Sequence, residues 1–252
     1  VYCIYARFER TCRRGGKRGV NTHRRNNFLL DADETILDFP RSSRESFAYA
    51  MRFFGLEELS AEFSRFRAIN DALWREYERG TMPKNRLVVE RFRRFLEGSV
   101  GARPDAAEVN RVYFNKLCSA GYLLPGADGF LRELRRRGKV FLITNGTPQA
   151  QNGRLDALGI RALFDGIFVS DEIGFAKPNP RFFGYVFAHT GADAADSLVI
   201  GDSLTSDIAG ANAVGIPCIW YASEEKAAVG AVPSAVARSY TEVLKIIDEG
   251  LL

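Results

Sequence analysis

Short apolar runs that end abruptly at a polar residue recur along the chain. Four of them cover residues 28–30 before Asp31, 140–143 before Thr144, 167–169 before Ser170 and 198–200 before Gly201. Runs of this length with an apolar residue at every position are typical of strands buried on both faces of a parallel sheet. Residues 218–220 form a weaker fifth candidate.

Helical patterns lie between these predicted strands. They cover residues 128–137, 148–158 and 179–190, and a glycine follows each of them, as it does at many helix ends. Strands that alternate with helices predict right-handed crossovers and a doubly wound, Rossmann-like α/β fold with a parallel sheet. Because ligands bind at the carboxyl ends of such strands, the polar residues that follow them should converge at one edge of the sheet.

One long stretch interrupts this alternation. Residues 42–120 show no strand pattern, and helices are predicted there at 45–54, 62–78, 86–96 and 106–119. We therefore predict an all-helical cap domain over 42–120, inserted into a core domain that consists of 28–41 and 121–252. The segments 38–41, with Pro40, and 121–126, with Pro125, are the expected hinges.

The first 27 residues have neither a helical nor a strand period, and we predict that they are disordered or not native. Residues 1–19 carry six basic side chains and one acidic side chain, Glu9, so their formal charge is +5. Because the whole chain has a formal net charge of +4, residues 20–252 have a charge of −1. This segment could be a nucleic-acid-binding arm or a transit peptide, although it has no serine. We favour a third alternative, in which translation begins near Val20. The remainder is nearly neutral, so no nucleic-acid partner is expected.

Composition narrows the class of protein. The chain has 252 residues, of which 46% are hydrophobic, and no apolar run approaches the 18 or so residues that a membrane-spanning helix needs. The four cysteines show no CxxC spacing, and Cys118 and Cys218 are expected to be small buried hydrophobic residues. These features predict a soluble protein of the reducing cytoplasm, without a membrane partner.

The candidate chemistry begins with two carboxylates, Asp31 and Asp33, at the end of the first strand. One could attack phosphorus while the other exchanges a proton with the leaving oxygen. An isolated pair of this kind would more readily be explained by a turn or a helix cap. Three later sets of polar residues change that balance: Thr144-Asn145-Gly146, Lys177, and Asp202 with Asp207.

A dianionic phosphate needs the mixture that these segments offer. A hydroxyl and main-chain N–H groups can bind phosphoryl oxygens, a lysine supplies a fixed cation, and carboxylates supply a nucleophile and hold a hard metal ion. The ordered set Asp31-x-Asp33-x-Thr35, Thr144, Lys177 and Gly201-Asp202-x₄-Asp207 resembles the four motifs of phosphatases in the haloacid dehalogenase (HAD) superfamily. The position of the helical insertion is similar to that of the C1 cap of subfamily I.

This resemblance implies a role for each motif residue. Asp31 would be the nucleophile that forms an aspartyl-phosphate, Asp33 the acid and base, and Lys177 the cation that holds nucleophile and phosphate together. Thr144 and Asn145 would bind phosphate. Mg²⁺ or Mn²⁺ would be held by Asp31, the main-chain carbonyl of Asp33, and Asp202. Asp207 would be a further metal ligand, an acceptor behind the ligands or the partner of Lys177.

A finer resemblance concerns the substrate. Glu34 stands where most members of the superfamily have glycine, and residues 28–35, 69–74, 143–146 and 173–178 resemble the YjjG/YfnB-type group, which includes pyrimidine 5′-nucleotidases. The implied substrate is a small phosphorylated metabolite, a pyrimidine nucleoside 5′-monophosphate. The alternatives are a sugar-phosphate phosphatase or phosphotransferase on the same scaffold and, remotely, a non-catalytic binding module.

The predicted cap contains one group of residues suited to a nucleobase. Asn70, Trp74 and Tyr77 are spaced four and three residues apart and would share one face of a helix. An aromatic ring there could stack on a base while the amide binds its edge. The alternative is a packing stripe with Phe63, Phe66 and Leu73.

Overall fold

The structure, a computed structural model, describes residues 25–97, 104–222 and 230–252. Its centre is a six-stranded parallel sheet with the strand order β3-β2-β1-β4-β5-β6. The strands are β1 (Asn27–Asp31), β2 (Lys139–Thr144), β3 (Gly166–Val169), β4 (Ser197–Gly201), β5 (Cys218–Tyr221) and β6 (Ala235–Ala237). The predicted doubly wound α/β fold is confirmed, because β1 lies in the middle and the chain winds outward from it in both directions.

Ten α-helices surround the sheet or form a separate layer above it in the described part of the chain. They are α1 (Phe39–Phe53), α2 (Phe63–Glu78), α3 (Lys84–Glu97), α4 (Ala106–Leu117), α5 (Ala127–Arg137), α6 (Pro148–Leu158), α7 (Ser170–Ile173), α8 (Pro180–Thr190), α9 (Ala209–Val214) and α10 (Tyr240–Glu249). A π-helical turn, Leu204–Ile208, precedes α9. No helix among the described residues has the length and apolar character needed to cross a bilayer.

The register of the central strands brings distant polar residues to one edge. Asp31 at the end of β1 is level with Ile143 of β2, and Leu30 is level with Ile200 of β4. Thr144 and Gly201 therefore end their strands beside Asp31. All five residues of β1 and of β4 are buried, which agrees with the run of three apolar residues at the centre of each strand.

Helices α1 to α4, together called the cap below, have a hydrophobic cluster of their own. Aromatic rings dominate it: Phe66 packs against Phe47 with ring centroids 4.7 Å apart and against Phe92 at 4.8 Å, and Phe95 meets Phe47 edge-on at 5.1 Å. These three contacts join residues of α1, α2 and α3. The cap therefore has its own source of stability, because buried aromatic side chains contribute large apolar areas.

Several predicted boundaries are corrected. Helix α1 begins at Phe39 and not at the predicted residue 45, and Asp38 accepts a hydrogen bond from the Arg41 N–H at 2.9 Å, so the segment predicted as a hinge, 38–41, contains the start of this helix. Pro40 is tolerated there because the first turn needs no N–H donor. Asn27 belongs to β1 and not to the predicted disordered segment. The rest of that segment, residues 1–24, lies outside the described residues.

Candidate active site

The ends of three neighbouring strands and two loops meet at one cavity of about 380 Å³, which also extends under the cap. Asp31 ends β1, Thr144 ends β2 and Asp202 follows β4 directly. Lys177 lies between α7 and α8, and Asp207 lies in the π-helical turn. The structure thus brings together five of the predicted site residues at the carboxyl edge of the sheet, where ligands bind in this architecture.

Lys177 is buried at the centre of this site. Its Nζ donates to Oδ1 of Asp31 at 2.6 Å, to Oδ1 of Asp207 at 2.7 Å and to the carbonyl oxygen of Ile143 at 2.9 Å. Burial alone would lower the pKa of the ammonium group, but the carboxylates of Asp207 and Asp31 raise it above its ordinary value. Lys177 is therefore a permanent cation beside the predicted nucleophile.

Asp31, Asp202 and Asp207 form a carboxylate cluster, in which one oxygen from each lies within 4.8 Å of the others. Burial and the charge of Asp207 raise the pKa of Asp31 to about 7, against the pull of Lys177. Burial and the charges of Asp31 and Asp207 also raise the pKa of Asp202 well above its ordinary value. Three hard oxygen donors that repel one another fit a divalent cation such as Mg²⁺, which would remove that repulsion.

The close approach of Asp207 depends on a glycine. A Cβ atom on Gly201 would lie 2.3 Å from Oδ2 of Asp207, so a side chain at position 201 would displace the carboxylate. The main-chain N–H of Ser203 donates to the same oxygen at 3.1 Å. The contacts show Asp207 as a partner of Lys177, and its place in the carboxylate cluster also keeps it a candidate metal ligand.

The carboxylate of Asp33 is held away from this cluster. Arg154 donates from Nη1 to Oδ1 at 2.6 Å and from Nη2 to Oδ2 at 3.1 Å, and Gln151 Nε2 donates to Oδ2 at 2.8 Å. Arg154 is itself buried and also donates to Oε1 of Gln151 at 2.8 Å. The contacts fix the predicted acid and base in one orientation, and only its main-chain carbonyl remains as the predicted metal ligand.

Thr144 and Asn145 differ in what they can offer to phosphate. Thr144 Oγ1 accepts from the Gly146 N–H at 3.0 Å and from Gln151 Nε2 at 2.7 Å, which leaves its own proton to be donated to a phosphoryl oxygen. The side chain of Asn145 donates to the Lys177 carbonyl at 2.8 Å and accepts from the Lys177 N–H at 2.9 Å. Its amide therefore positions Lys177, and its main-chain N–H remains a candidate to bind phosphate.

Two of the three predicted cap residues line the cavity. Asn70 and Trp74 are part of its wall, whereas Tyr77 is not among the described residues that line it. Tyr77 lies against Trp74 in an edge-on contact with ring centroids 5.5 Å apart. The predicted helix face is therefore divided: Asn70 and Trp74 face the cavity, and Tyr77 supports Trp74.

Polar contacts join the cap to the core beside the site, and sequence analysis identified none of them. Lys84 Nζ donates to the carbonyl oxygens of Asn145 and Gly146 at 2.7 and 2.9 Å and pairs with Asp171 at 2.5 Å. Burial lowers the pKa of Lys84, and the bond to Asp171 opposes that effect. Lys84 thus ties the start of α3 to the loop that carries Asn145, which is predicted to bind phosphate.

Glu34 provides a second connection. It has a φ of 60°, a left-handed conformation that glycine adopts at lower cost, which agrees with the glycine of most family members at this position. Its carboxylate pairs with Arg67 of the cap at 3.3 Å. A third contact runs from Thr205 Oγ1 to Oε2 of Glu78 at 2.6 Å. All three contacts lie at the rim of the cavity.

Comparison with known proteins places these features in a family. A family model described as a haloacid dehalogenase-like hydrolase matches residues 26–215. The HAD-hydrolase YfnB of Bacillus subtilis (strain 168) is 31% identical over 222 residues, which are 87% of this chain and 94% of the relative. The pyrimidine 5′-nucleotidase YjjG of Escherichia coli (strain K12) is 30% identical over 87% of this chain and 96% of the relative. The pyrimidine 5′-nucleotidase PynA of Streptococcus pneumoniae is 31% identical over 89% of this chain and 95% of the relative.

A solved structure is similar over the same range. The crystal structure of YfnB bound to magnesium has a TM-score of 0.84 and 30% sequence identity, and it covers 89% of this chain and 99% of the other. The fold is thus shared with a relative whose crystal structure contains magnesium.

Proposed function

We propose that this chain, a phosphatase that belongs to the haloacid dehalogenase-like hydrolase family, removes phosphate from pyrimidine nucleoside 5′-monophosphates by way of a phosphorylated Asp31. The observation that carries the mechanism is the triple contact of Lys177 with Asp31, Asp207 and the Ile143 carbonyl. It holds one oxygen of the nucleophile and leaves the other for attack on phosphorus.

The residues around Asp31 serve the first step. The Thr144 hydroxyl and the main-chain N–H of Asn145 would bind the phosphoryl oxygens, and Lys177 would offset their charge as the bond from Asp31 to phosphorus forms. Asp31, Asp202, Asp207 and the main-chain carbonyl of Asp33 would hold Mg²⁺ or Mn²⁺. When bound, that cation supplies positive charge between the carboxylates and the dianionic phosphate.

Asp33 serves the proton transfers. As the ester bond breaks, Asp33 would donate a proton to the leaving oxygen, and it would then take one from the water that hydrolyses the aspartyl-phosphate. Arg154 and Gln151 use both acceptor positions of Oδ2 but only one of Oδ1, so Oδ1 is the oxygen that would meet the reacting oxygen in both steps. The hydrolysis returns Asp31 as a carboxylate and releases inorganic phosphate.

The substrate class is supported by the cavity wall. Trp74 and Asn70 line the same cavity as Asp31, with the apolar side chains of Val88, Phe114 and Leu117 nearby. An aromatic face and an apolar wall suit a planar base. Two relatives over most of the chain are pyrimidine 5′-nucleotidases, which favours a nucleotide over a sugar phosphate.

A phosphate-release screen with Mg²⁺ tests this function. We expect the highest kcat/KM for a pyrimidine nucleoside monophosphate, and Trp74→Ala should lower that value more than the value for p-nitrophenyl phosphate. Tyr49→Ala, which removes an exposed aromatic ring from α1, is the matched control. A screen led by sugar phosphates, with equal losses for both substrates in Trp74→Ala, would assign the chain to the alternative class.

A further inference from the structure

Arg91 of α3 is a buried cation in the wall of the cavity. Only 3% of its surface is exposed to solvent. Like Asn70, it is one of the cap residues that line the cavity. Sequence patterns did not single it out, because an arginine in a helix that is rich in arginine is usually solvated. Here its guanidinium lies against the ring of Tyr113, 4.6 Å from the ring centroid.

No carboxylate of the described residues forms an ion pair with Arg91. The guanidinium donates to three neutral acceptors: the Val88 carbonyl at 3.2 Å, Asn70 Oδ1 at 3.0 Å and Asn110 Oδ1 at 2.9 Å. Burial lowers its pKa. A buried charge without a counterion is costly, so a fold usually keeps one only where a ligand or a dense set of acceptors meets it.

Arg91 and Asn70 together carry more N–H donors than their contacts use. A guanidinium has five N–H groups, and the three contacts of Arg91 use three of them. Asn70 gives its carbonyl oxygen to Arg91 and one amide N–H to Asp71 at 3.2 Å. Two N–H groups of Arg91 and one of Asn70 thus have no acceptor in these contacts, and both residues line the cavity, so a ligand that binds beside them is expected to bring acceptors.

We propose that Arg91 is a specificity-determining residue, which binds a ring carbonyl oxygen of the substrate's pyrimidine base with support from Asn70. This inference rests on the proposed function and names the atoms by which the base is recognised. The neighbouring wall is apolar at Val88, Phe114 and Leu117, which suits a neutral ring. A second anionic group would instead meet the carboxylates of Asp71 and Glu78, which line the same cavity.

An apolar isostere of the base isolates this contact. Thymidine 5′-monophosphate is compared with the monophosphate whose base is 2,4-difluorotoluene, which has nearly the same shape without carbonyl oxygens. A hydrogen bond to a charged group is worth about 10- to 100-fold in an equilibrium or rate constant, so the wild type should prefer thymidine 5′-monophosphate by that factor in kcat/KM. In Arg91→Met the ratio should fall to near one.

Two controls accompany the comparison. Hydrolysis of 2-deoxyribose 5-phosphate, which has no base, should be the same in Arg91→Met and in the wild type. Arg86→Met, at an exposed position of the same helix, should keep the wild-type preference. If Arg91→Met does not fold, Arg91→Lys replaces it. Lysine keeps the charge but lacks the planar fork, so the preference should still fall.

Each failure has a different meaning. If the wild type hydrolyses 2-deoxyribose 5-phosphate as well as it hydrolyses thymidine 5′-monophosphate, the proposed nucleotidase function is wrong. If the nucleotide is preferred over 2-deoxyribose 5-phosphate but the isostere is equally good, or if the ratio survives in the Arg91 variant that folds, the role of Arg91 is wrong and the nucleotidase function stands. If Arg91→Met loses activity on phosphoserine and not on the nucleotide, Arg91 binds a second anion, which also overturns the inference.

Discussion

Arg154 holds Asp33 through both terminal nitrogens of its guanidinium, at 2.6 Å and 3.1 Å from the two carboxylate oxygens. Bidentate pairs of this kind fix orientation as well as charge. Gln151 joins them by donating to both Asp33 and Thr144. The proposed proton-transfer group and the proposed phosphate-binding hydroxyl therefore belong to one hydrogen-bonded network.

The first prediction concerns this network. Arg154→Met should lower kcat for a nucleotide by about 10-fold or more, because a misplaced Asp33 loses part of a contribution typically worth about 10²- to 10⁴-fold. The first step with p-nitrophenyl phosphate should change much less, since p-nitrophenolate leaves without a proton. Pre-steady-state product release from both substrates measures the difference. Equal losses would show that Arg154 acts through stability, which a melting curve would reveal.

The second prediction separates the two aspartates. Asp31→Asn removes the attacking anion, so every substrate should lose turnover and no phosphoprotein should form. Asp33→Asn keeps the nucleophile but lacks the base for the second step, so p-nitrophenyl phosphate should give a burst followed by slow turnover. Intact-protein mass spectrometry after an acid quench detects the phosphorylated enzyme. The absence of both burst and mass increase in Asp33→Asn would refute its role as acid and base.

The third prediction concerns pH and Mg²⁺. The pKa of Asp31 is raised from 3.8 to about 7 in the folded chain, so between those values the folded state keeps a proton that the unfolded state has lost. Without metal, the melting temperature should therefore fall as pH rises from about 5 to about 8. Added Mg²⁺ should stabilise the protein more at the higher pH, because the metal competes with protons for the carboxylates.

Differential scanning fluorimetry with and without EDTA measures both effects. The control is Asp31→Asn, which lacks the titrating group and should show a weaker dependence on pH and on Mg²⁺. A metal-induced shift that is equal at both pH values, or equal in the variant, would contradict the assignment of Asp31 to the metal site. Turnover by the wild type should cease in EDTA and return when Mg²⁺ is added.

The fourth prediction concerns the connection between cap and core. Lys84→Met leaves the carbonyl oxygens of Asn145 and Gly146 without their donor, at a cost of about 1 to 3 kcal/mol in the free energy of unfolding. Because these carbonyls flank the Asn145 N–H that is proposed to bind phosphate, KM should rise for nucleotides and for p-nitrophenyl phosphate alike. Lys245→Met, at an exposed lysine of α10, is the control. A change confined to nucleotides would place Lys84 at the base and not at the phosphate.

Sequence patterns predicted the centre of the site because its residues follow strands. Asp31, Thr144 and Asp202 come directly after apolar runs, and a parallel sheet brings such positions together. Lys177 and Asp207 were assigned to the site because they match the third and fourth of the ordered motifs. The fold class was predictable for the same reason, since continuous apolar runs that alternate with helices leave few alternative architectures.

The surrounding residues were not predictable in this way. Arg154, Arg91 and Lys84 lie on helices, where a charged side chain ordinarily faces water, and only tertiary packing buries the two arginines and covers most of the lysine side chain. Strand β6 has three residues, too few for a period-two pattern to be detected. Tyr77 was grouped with Trp74 from helical spacing alone, which does not decide which of two neighbouring side chains reaches a cavity.

The central position of β1 has a consequence for the order of folding. Asn27 pairs with Lys139 of β2 and with Ser197 of β4, so both partners of β1 follow the entire cap in the chain. During synthesis, the ribosome delivers β1 long before either partner, whereas the aromatic contacts of the cap join residues that are closer in sequence. Contacts between near neighbours form sooner than distant ones. We therefore expect the nascent cap to acquire structure first, and the apolar strand that ends in Asp31 to be the segment that a chaperone must protect.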